Sequence, residues 1–407
     1  MNKERICSII DNKLKNNFDE FVCISDYIFR HPELGGEEFL SAEYLCTYLK
    51  EKKFEISYPC PNIPTAFIAE YGPNKKNDKT KVVAFVAEYD ALPGFGPNGE
   101  PGHACGHNWI AACMCGCAVS LMDVLEEINC IVKVIGTPAE ETFGAKYDII
   151  KTGAFADVDL AFQAHLDEFT SIETLSLAMN SIEFSFHGVP AHAAQNPEKG
   201  INALDAVISM FNNINAMREH IHKDERIHGI ITEGGVAANI VPEFAQCKFS
   251  IRSKSKEGLK KLRERVINIA KAAELATGAK LEYKDYENPY DDMINVPALV
   301  KVCQDHLCKF GYTKFIPENE YPGSGSGDIG NVSYECPTAY VEIAPNKCDV
   351  IEVHERSAMD LVNSEPAMDT MKSVISAYTR AVVDICLDKE LFNKINIEHK
   401  EVIKNRG

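Results

Sequence analysis

Apolar positions recur at helical spacing through the first fifty residues. They do so in CSIIDNKLKNNFDEFVCISDYIFRH and again in FLSAEYLCTYLKEKKF, so residues 1–54 are expected to be helical. The period then changes. TAFIAEYG (65–72) and KVVAFVAEYD (81–90) are apolar runs of strand length, and the polar stretch GPNKKNDKTK between them predicts a hairpin or meander. IAACMCGCAVSLMDVLEEI reads as a buried helix. CIVKVIGTPAEE reads as a strand running into a loop at Gly136, and DVDLAFQAH as a strand ending on His165. This strand–helix–strand rhythm predicts an α/β sheet with helices on its faces.

From about residue 178 the order becomes strand (LAMNSIEFSFHG), helix (GINALDAVISMFNNINAMREHI), strand (IHGIITEGG), strand (AQCKFSIRS), helix (EGLKKLRERVINIAKAAELATG), strand (KLEYKDYE). A βαββαβ order over about 110 residues is the ferredoxin-like pattern. Mixed α/β pattern resumes at about 291 and ends in the amphipathic MDTMKSVISAYTRAVVDICLD. The expected organisation is a split α/β catalytic domain, 1–177 and 291–407, interrupted by a ferredoxin-like lid at 178–290.

The length of 407 residues agrees with more than one core. A net charge of −18 repels phosphate backbones and argues against nucleic acid as a partner, while it would draw cationic small molecules into a cleft. No apolar run is expected to reach membrane-span length, and MNKERICSIIDNKLKNNFDEF has no hydrophobic leader. Both features point to the cytoplasm. There, the 15 cysteines are expected to be buried thiols or metal ligands rather than disulfides.

The stretch GHACGHNWIAACMCGCA (102–118) admits three readings: a structural zinc site, a thiol redox centre, or part of a catalytic metal site. Cys113, Cys115 and Cys117 lie on the expected helix, where positions two apart face away from each other, so packing is the simpler account of them. No C-x-x-C occurs there to carry redox chemistry. Cys105 and His107 instead sit in the expected loop just before the helix, and thiolate with imidazole suits zinc or another divalent transition metal. Adjacent Glu140 and Glu141 follow an apolar strand; one can bind a metal while its neighbour takes a proton from water. His165 ends a strand, and His354, in DVIEVHERS, is expected in an apolar strand. Each has an ordinary structural explanation alone; together, at strand ends and loops of one domain, they suggest a single site.

These segments, with HPELGGEE (31–38), AEYDALPGFG (87–96), GTPAEE (136–141), GVPAHAAQNPEKGINALDA (188–206), NIVPEFA (239–245) and GSGSGDIGNVS (323–333), resemble the dinuclear-metal aminoacylase/carboxypeptidase family with its peptidase-dimerisation lid. Within it, the sequence is similar to the amidohydrolase branch of p-aminobenzoyl-glutamate hydrolase and the indole-acetyl-amino-acid hydrolases. It is most similar to the aminoacylase-like dipeptidases of Xaa-Arg or β-alanyl-lysine type. The resemblance implies a mixed-sheet metallohydrolase domain and a homodimer formed through the lid. It also implies two divalent ions (zinc, manganese, cobalt or nickel) held by Cys105, His107, Glu141, His165 and His354. Glu140 would be the general base. His192, from PAHAA, would reach the partner subunit's active site and stabilise the oxyanion. Asn239 and Arg252 would hold the substrate carboxylate, and Asp90 would orient a metal-binding histidine.

The implied reaction is hydrolysis of the amide bond of a dipeptide or N-acyl amino acid with a free carboxylate. The dipeptidase likeness and the acidic chain favour a basic C-terminal residue; p-aminobenzoyl-glutamate and simple N-acyl amino acids are the alternatives. A metal- or peptide-binding protein that kept the fold without catalysis is the rival from another class. Three positions depart from common patterns. Asn108 stands where the amidohydrolase branch commonly has Asp, Glu88 where many relatives have Asp, and Gly327 where Thr is usual.

Overall fold

The computed structural model describes residues 3–73, 79–321, 325–345 and 351–406. The chain divides into two compact units. One takes in the N-terminal part to Leu175 and nearly all of the chain from Met293 onward; the other is Ser176–Asp292 with Gly325–Gly327.

The N-terminal periodicity forms α1 (Lys3–Arg30), whose buried Ile6, Ile10, Leu14, Phe21, Ile24 and Ile28 line one face, and α2 (Phe39–Glu51). Then come β1 (Glu55–Ser57), β2 (Phe67–Tyr71), β3 (Lys81–Ala87), α3 (His107–Leu121), the short α4 (Leu125–Ile128), β4 (Cys130–Gly136), α5 (Lys146–Lys151) and β5 (Leu160–Leu166). The second unit contributes β6 (Ala178–His187), α6 (Ala203–Met217), β7 (Arg226–Glu233), β8 (Phe244–Ser253), α7 (Lys256–Thr277) and β9 (Lys280–Asp285). The first unit resumes with α8 (Pro297–Lys309), α9 (Ile329–Glu335), β10 (Thr338–Ile343), α10 (Ala358–Leu361), α11 (Glu365–Leu387) and α12 (Lys389–Arg406). The amphipathic helix expected to end the chain is therefore followed by another.

The first unit is built on a six-stranded sheet in the order β1-β2-β4-β3-β5-β10. Strands β4, β3, β5 and β10 run parallel, and β2 lies antiparallel to β4. The expected hairpin between β2 and β3 does not form, because β4 lies between them; residues 74–78 of the intervening stretch lie outside the described residues. Strands β3, β4 and β5 are buried on both faces, as central parallel strands must be, which explains their continuous apolar runs.

Helix α3 has no polar face: every residue from His107 to Leu121 is buried. A Cβ at Gly116 would stand 2.5 Å from Ile375 of α11 and 3.1 Å from Phe21 of α1, so small residues let those helices close on α3. The stretch His107–Ile128 does have the length and apolarity of a membrane span, contrary to expectation. Its most apolar window is 89% buried within the fold, and core packing accounts for the pattern. The fourteen cysteines among the described residues are free thiols.

The second unit is an antiparallel sheet in the order β7-β8-β6-β9. Taken in chain order these strands stand 2-3-1-4, the ferredoxin-like arrangement. Strand β8 alternates strictly: Ala245, Cys247, Phe249 and Ile251 are buried, and Arg252 lies on the opposite face. Asn202 caps α6 by accepting from the Leu204 amide, Ser255 caps α7 through the Gly258 amide, and Gly278 (φ 80°) ends α7.

Candidate metal centre

Parallel strands end on one edge of a sheet, so whatever follows their C-termini is brought together there. Strand β3 is followed by Glu88 and Asp90, β4 by Glu140 and Glu141, and β5 carries His165 as its penultimate residue. Cys105 lies in the turn before α3. His107 is not in that loop but is the first residue of α3, entered through Gly106 at φ 78°. His354 is not in a strand either: it occupies a turn at φ 64°, its amide bonded to the Ala104 carbonyl at 3.0 Å.

Three overlapping sets of ligand atoms converge there, each within 4.8 Å: Cys105, His107 and His165; Cys105, Glu141 and His354; His107, Glu140 and Glu141. Among the described residues, Cys113, Cys115 and Cys117 join none of them. The ring nitrogens are assigned by their partners. His107 Nδ1 donates to Asp90 Oδ1 at 2.7 Å, and His165 Nδ1 donates to the Leu166 carbonyl at 2.6 Å, so each ring turns Nε2 to the cluster. Cys105 Sγ is 3.3 Å from His165 Nε2, and His354 Nε2 is 3.1 Å from Glu141 Oε1. His107 Nε2 is buried and has no hydrogen-bond partner. A buried ring nitrogen left open beside a thiol, two more imidazoles and two carboxylates is what a transition-metal site requires, so these residues fit divalent ions.

Asp90 does more than orient His107: its Oδ2 accepts the Glu141 backbone amide at 2.9 Å, fixing the carboxylate loop to the same group. That loop is anchored a second time. Ala139 takes φ 62°, which costs a non-glycine residue about 1–2 kcal/mol, and its amide donates to buried Glu38 Oε1 at 2.8 Å. Glu38 also accepts from Gly36 N and Thr65 Oγ1. Burial, then the nearby Asp90 charge, pushes its carboxyl up to about 7.

Burial, then Glu141 and Glu88, raises Glu140 well above the carboxylate range. Burial acts against ionised Glu141 too, but the His354 hydrogen bond and the His107 charge hold it low. Burial, reinforced by Glu141 and Glu140, pushes the Cys105 thiol far up. Burial works against a charged His107, yet Asp90, Glu88 and Glu141 raise it. Burial, then His107, holds His165 down to about 4. Without cations, Cys105, Glu140 and His107 therefore hold protons that bound metal would displace, while Glu141 stays ionised.

Sequence reasoning left Glu38, Lys146 and Asp328 without a role. Glu38 and Asp328 lie inside HPELGGEE and GSGSGDIGNVS, so the motifs contained the signal; Lys146 carried none. Asn108 Nδ2 donates to Ser25 Oγ at 2.9 Å, tying α3 to α1. The Gly327 amide donates to Ser176 Oγ at 3.0 Å in the second unit; residues 322–324 and 346–350 of the quoted segments lie outside the described residues.

The remaining expected residues belong to the second unit. His192 is bridged to Ile240, and its Nδ1 accepts from the Ala194 and Gln195 amides; the Asn239 carbonyl accepts from Ala193, so His192 and Asn239 share one loop cluster. Arg252 stands near the far end of β8, about 27 Å along the strand from Phe244. Its guanidinium is 3.3 Å from Ser326 Oγ. Within one copy of this unit, Arg252 and Asn239 do not meet.

Residues 176–277 match the family profile of the peptidase dimerisation domain. The chain is 31% identical to human Xaa-Arg dipeptidase over 394 residues, covering 93% of this chain and 88% of that one. It is 34% identical over 294 residues to one of the subunits of p-aminobenzoyl-glutamate hydrolase from Escherichia coli (strain K12), covering 69% of this chain and 60% of the relative. Among solved structures, the aminobenzoyl-glutamate utilization protein of Klebsiella pneumoniae superimposes with a TM-score of 0.71 at 18% identity, over 92% of this chain and 98% of the other. A dinuclear metal binding peptidase of the M20 family from Bacillus subtilis gives 0.66 at 19%, over 92% and 99%.

Proposed function

Because the chain belongs to the M20 peptidase family and is a metal-dependent hydrolase of dipeptides or acyl amino acids, we propose that the cluster at the ends of β3, β4 and β5 is its active site. Cys105, His107, Glu141, His165 and His354 hold two divalent cations, zinc, manganese, cobalt or nickel. The observation that carries this reading is the convergence of three overlapping donor sets around a buried, unpartnered His107 Nε2. Sets that share Cys105, His107 and Glu141 suit a pair of ions with common ligands. When bound, such a pair acidifies water and polarises the amide carbonyl.

Glu140 takes the proton of the attacking water and delivers it to the leaving amine. It is raised in the cluster by burial and like charge, and adjacent cations reverse the second of these. Asp90 holds His107 in the tautomer that leaves Nε2 open. His192 stabilises the oxyanion, and Asn239 and Arg252 hold the substrate carboxylate. Since the Asn239 loop leads into the Phe244 end of β8, about 27 Å along the strand from Arg252, the two residues serve one substrate from different subunits, which supports a homodimer. Strand β7, at the sheet edge, exposes Ile230 (64%) and Ile231 (44%), apolar surface suited to that association.

For the substrate, the likeness to Xaa-Arg dipeptidase and the charge of −18 support a dipeptide with a basic C-terminal residue. The test is a panel of Xaa-Arg, Xaa-Lys and Xaa-Orn dipeptides, p-aminobenzoyl-glutamate and N-acetyl amino acids, assayed with metal-loaded protein. Preference for the basic dipeptides is expected; exclusive cleavage of p-aminobenzoyl-glutamate would overturn that specificity. Glu140→Ala should abolish turnover while metal content stays at the wild-type level, and retained turnover would remove Glu140 as the base.

A further inference from the structure

Beside the cluster lies a buried ionic network with no part in the scheme above. Lys146, the first residue of α5, is fully buried, as is Asp328 at the start of α9, and Glu88 is 3% exposed. Lys146 Nζ donates to Glu88 Oε1 at 2.5 Å and also to Asp328. Asp328 Oδ2 accepts the Lys146 backbone amide at 3.0 Å, so the lysine is held at both ends. Removing three charges from water costs several kcal/mol per ion, and apolar side chains of similar volume commonly fill such a position with no loss of stability. The network therefore calls for a reason other than stability, and the geometry supplies one.

One oxygen of Glu88 is committed to Lys146. The other, Oε2, stands 3.6 Å from His107 Nε2, the buried nitrogen that has no hydrogen-bond partner. Nitrogen and oxygen donors at ordinary zinc distances in a tetrahedral site lie about 3.4 Å apart. The Glu88 carboxylate thus faces the space that His107 Nε2 faces, at a separation suited to sharing one cation. Two carboxylates against one ammonium leave the network with a net negative charge, turned to that side.

We propose that Glu88 is a further carboxylate of the metal pocket on the His107 side, and that Lys146, clamped by Asp328, is the positioning residue that keeps Glu88 Oε2 turned toward it. The proposal rests on the metal-centre reading. It gives Lys146 a task that charge alone does not require: Glu88 is fixed in one rotamer by a hydrogen bond on the face away from the cations, as outer partners fix ligands elsewhere.

The test is Zn²⁺ affinity measured by competition with a chromophoric chelator, with zinc per protomer from elemental analysis, for wild type, Glu88→Gln, Lys146→Met and the double variant. Glu88→Gln keeps the shape and the Lys146 hydrogen bond; it should weaken one of the two bound ions by about 10–100-fold. Lys146→Met should weaken the same ion, and in the Glu88→Gln background it should add less than about threefold, because both act through one group. Wild-type affinity in Glu88→Gln overturns the proposal. So does a Lys146→Met loss of equal size in both backgrounds, which would mean that Lys146 acts elsewhere. Should Lys146→Met fail to fold, Glu88→Gln alone decides the Glu88 role, and Asp328→Asn takes its place in the cycle. Absence of zinc from the wild-type protein would instead refute the metal-centre reading.

Discussion

Asp90→Asn changes one atom in a group that is 1% exposed and accepts two hydrogen bonds, from His107 Nδ1 at 2.7 Å and from the Glu141 amide at 2.9 Å. A carboxylate can take both donors; a carboxamide has one oxygen. With that oxygen toward His107, the new NH₂ meets the Glu141 N–H, donor against donor, and a buried amide left unsatisfied costs about 1–3 kcal/mol. With the amide flipped, the Glu141 bond survives, but the NH₂ faces His107 Nδ1 and favours the tautomer protonated at Nε2, which cannot ligate. Either way, zinc affinity should fall by about 10–100-fold, or about 1.4–2.8 kcal/mol. The assay is paired: chelator competition for affinity, and thermal melts with and without zinc. At fixed excess zinc, the stabilisation conferred by the metal should shrink by the same 1.4–2.8 kcal/mol, roughly, since it follows the logarithm of the dissociation constant. Wild-type zinc affinity together with a lower Tm of the metal-free protein would refute the reasoning, leaving Asp90 as an anchor of the carboxylate loop only.

Arg252→Ala should lower kcat/KM by about 10–100-fold, mostly through KM, the loss expected for charge-assisted hydrogen bonds to a carboxylate; an equal loss on a carboxamide analogue would remove the carboxylate role. Zinc affinity should rise with pH between about pH 6 and pH 8 by roughly one log unit per pH unit for each proton displaced. Metal-free Cys105, raised by burial and by Glu141 and Glu140, keeps its proton in that range, and so does His107, raised by its carboxylates against the effect of burial; His165, held down to about 4, has none to lose. Two protons displaced give a slope of about two, with His354, raised by its Glu141 hydrogen bond, adding to it at the acid end; an affinity flat in pH would exclude Cys105 and His107 as ligands. Gly116→Ala places a Cβ 2.5 Å from Ile375, and the overpacking, about 1–3 kcal/mol, opposes a gain of about 1 kcal/mol in helix propensity. A lower Tm is expected; a higher one would show that the Ile375 side chain turns aside and the helix-propensity gain prevails.

Local pattern revealed the strands of the sheet but not their order. KVVAFVA and CIVKVIG read as buried strands because both faces are covered, yet nothing in either run says that β4 enters between β2 and β3. The stretch before His354 misled for a related reason. Ile351 and Val353 flank a polar residue as they would in a strand, but the segment is held by the Ala104 carbonyl in a turn, a partner about 250 residues away. In the second unit, by contrast, the alternation of β8 and the caps Asn202 and Ser255 are short-range signals, and the βαββαβ order follows from them directly.

The same distinction separates the legible site residues from the hidden ones. Cys105 and His107, or Glu140 and Glu141, stand out because two donors of suitable type are neighbours in the chain. Glu88, Lys146 and Asp328 are single charges with 58 and 182 residues between the lysine and its two partners; Glu88 and Asp328 lie inside quoted motifs but no neighbouring donor marks them, and Lys146 lies in none. They become informative only when burial is known: a lysine at 0% exposure must be paired, and its partners then point to what they face. What joins both groups is the parallel sheet. Crossovers separate β3, β4 and β5 by tens of residues in the chain, yet their C-terminal ends share one edge. Donors at 105, 107, 140, 141 and 165 are thereby brought within ligand distance. Chemistry of this kind is encoded twice, by residue type in the sequence and by strand order in the fold. Only the first can be read without the structure.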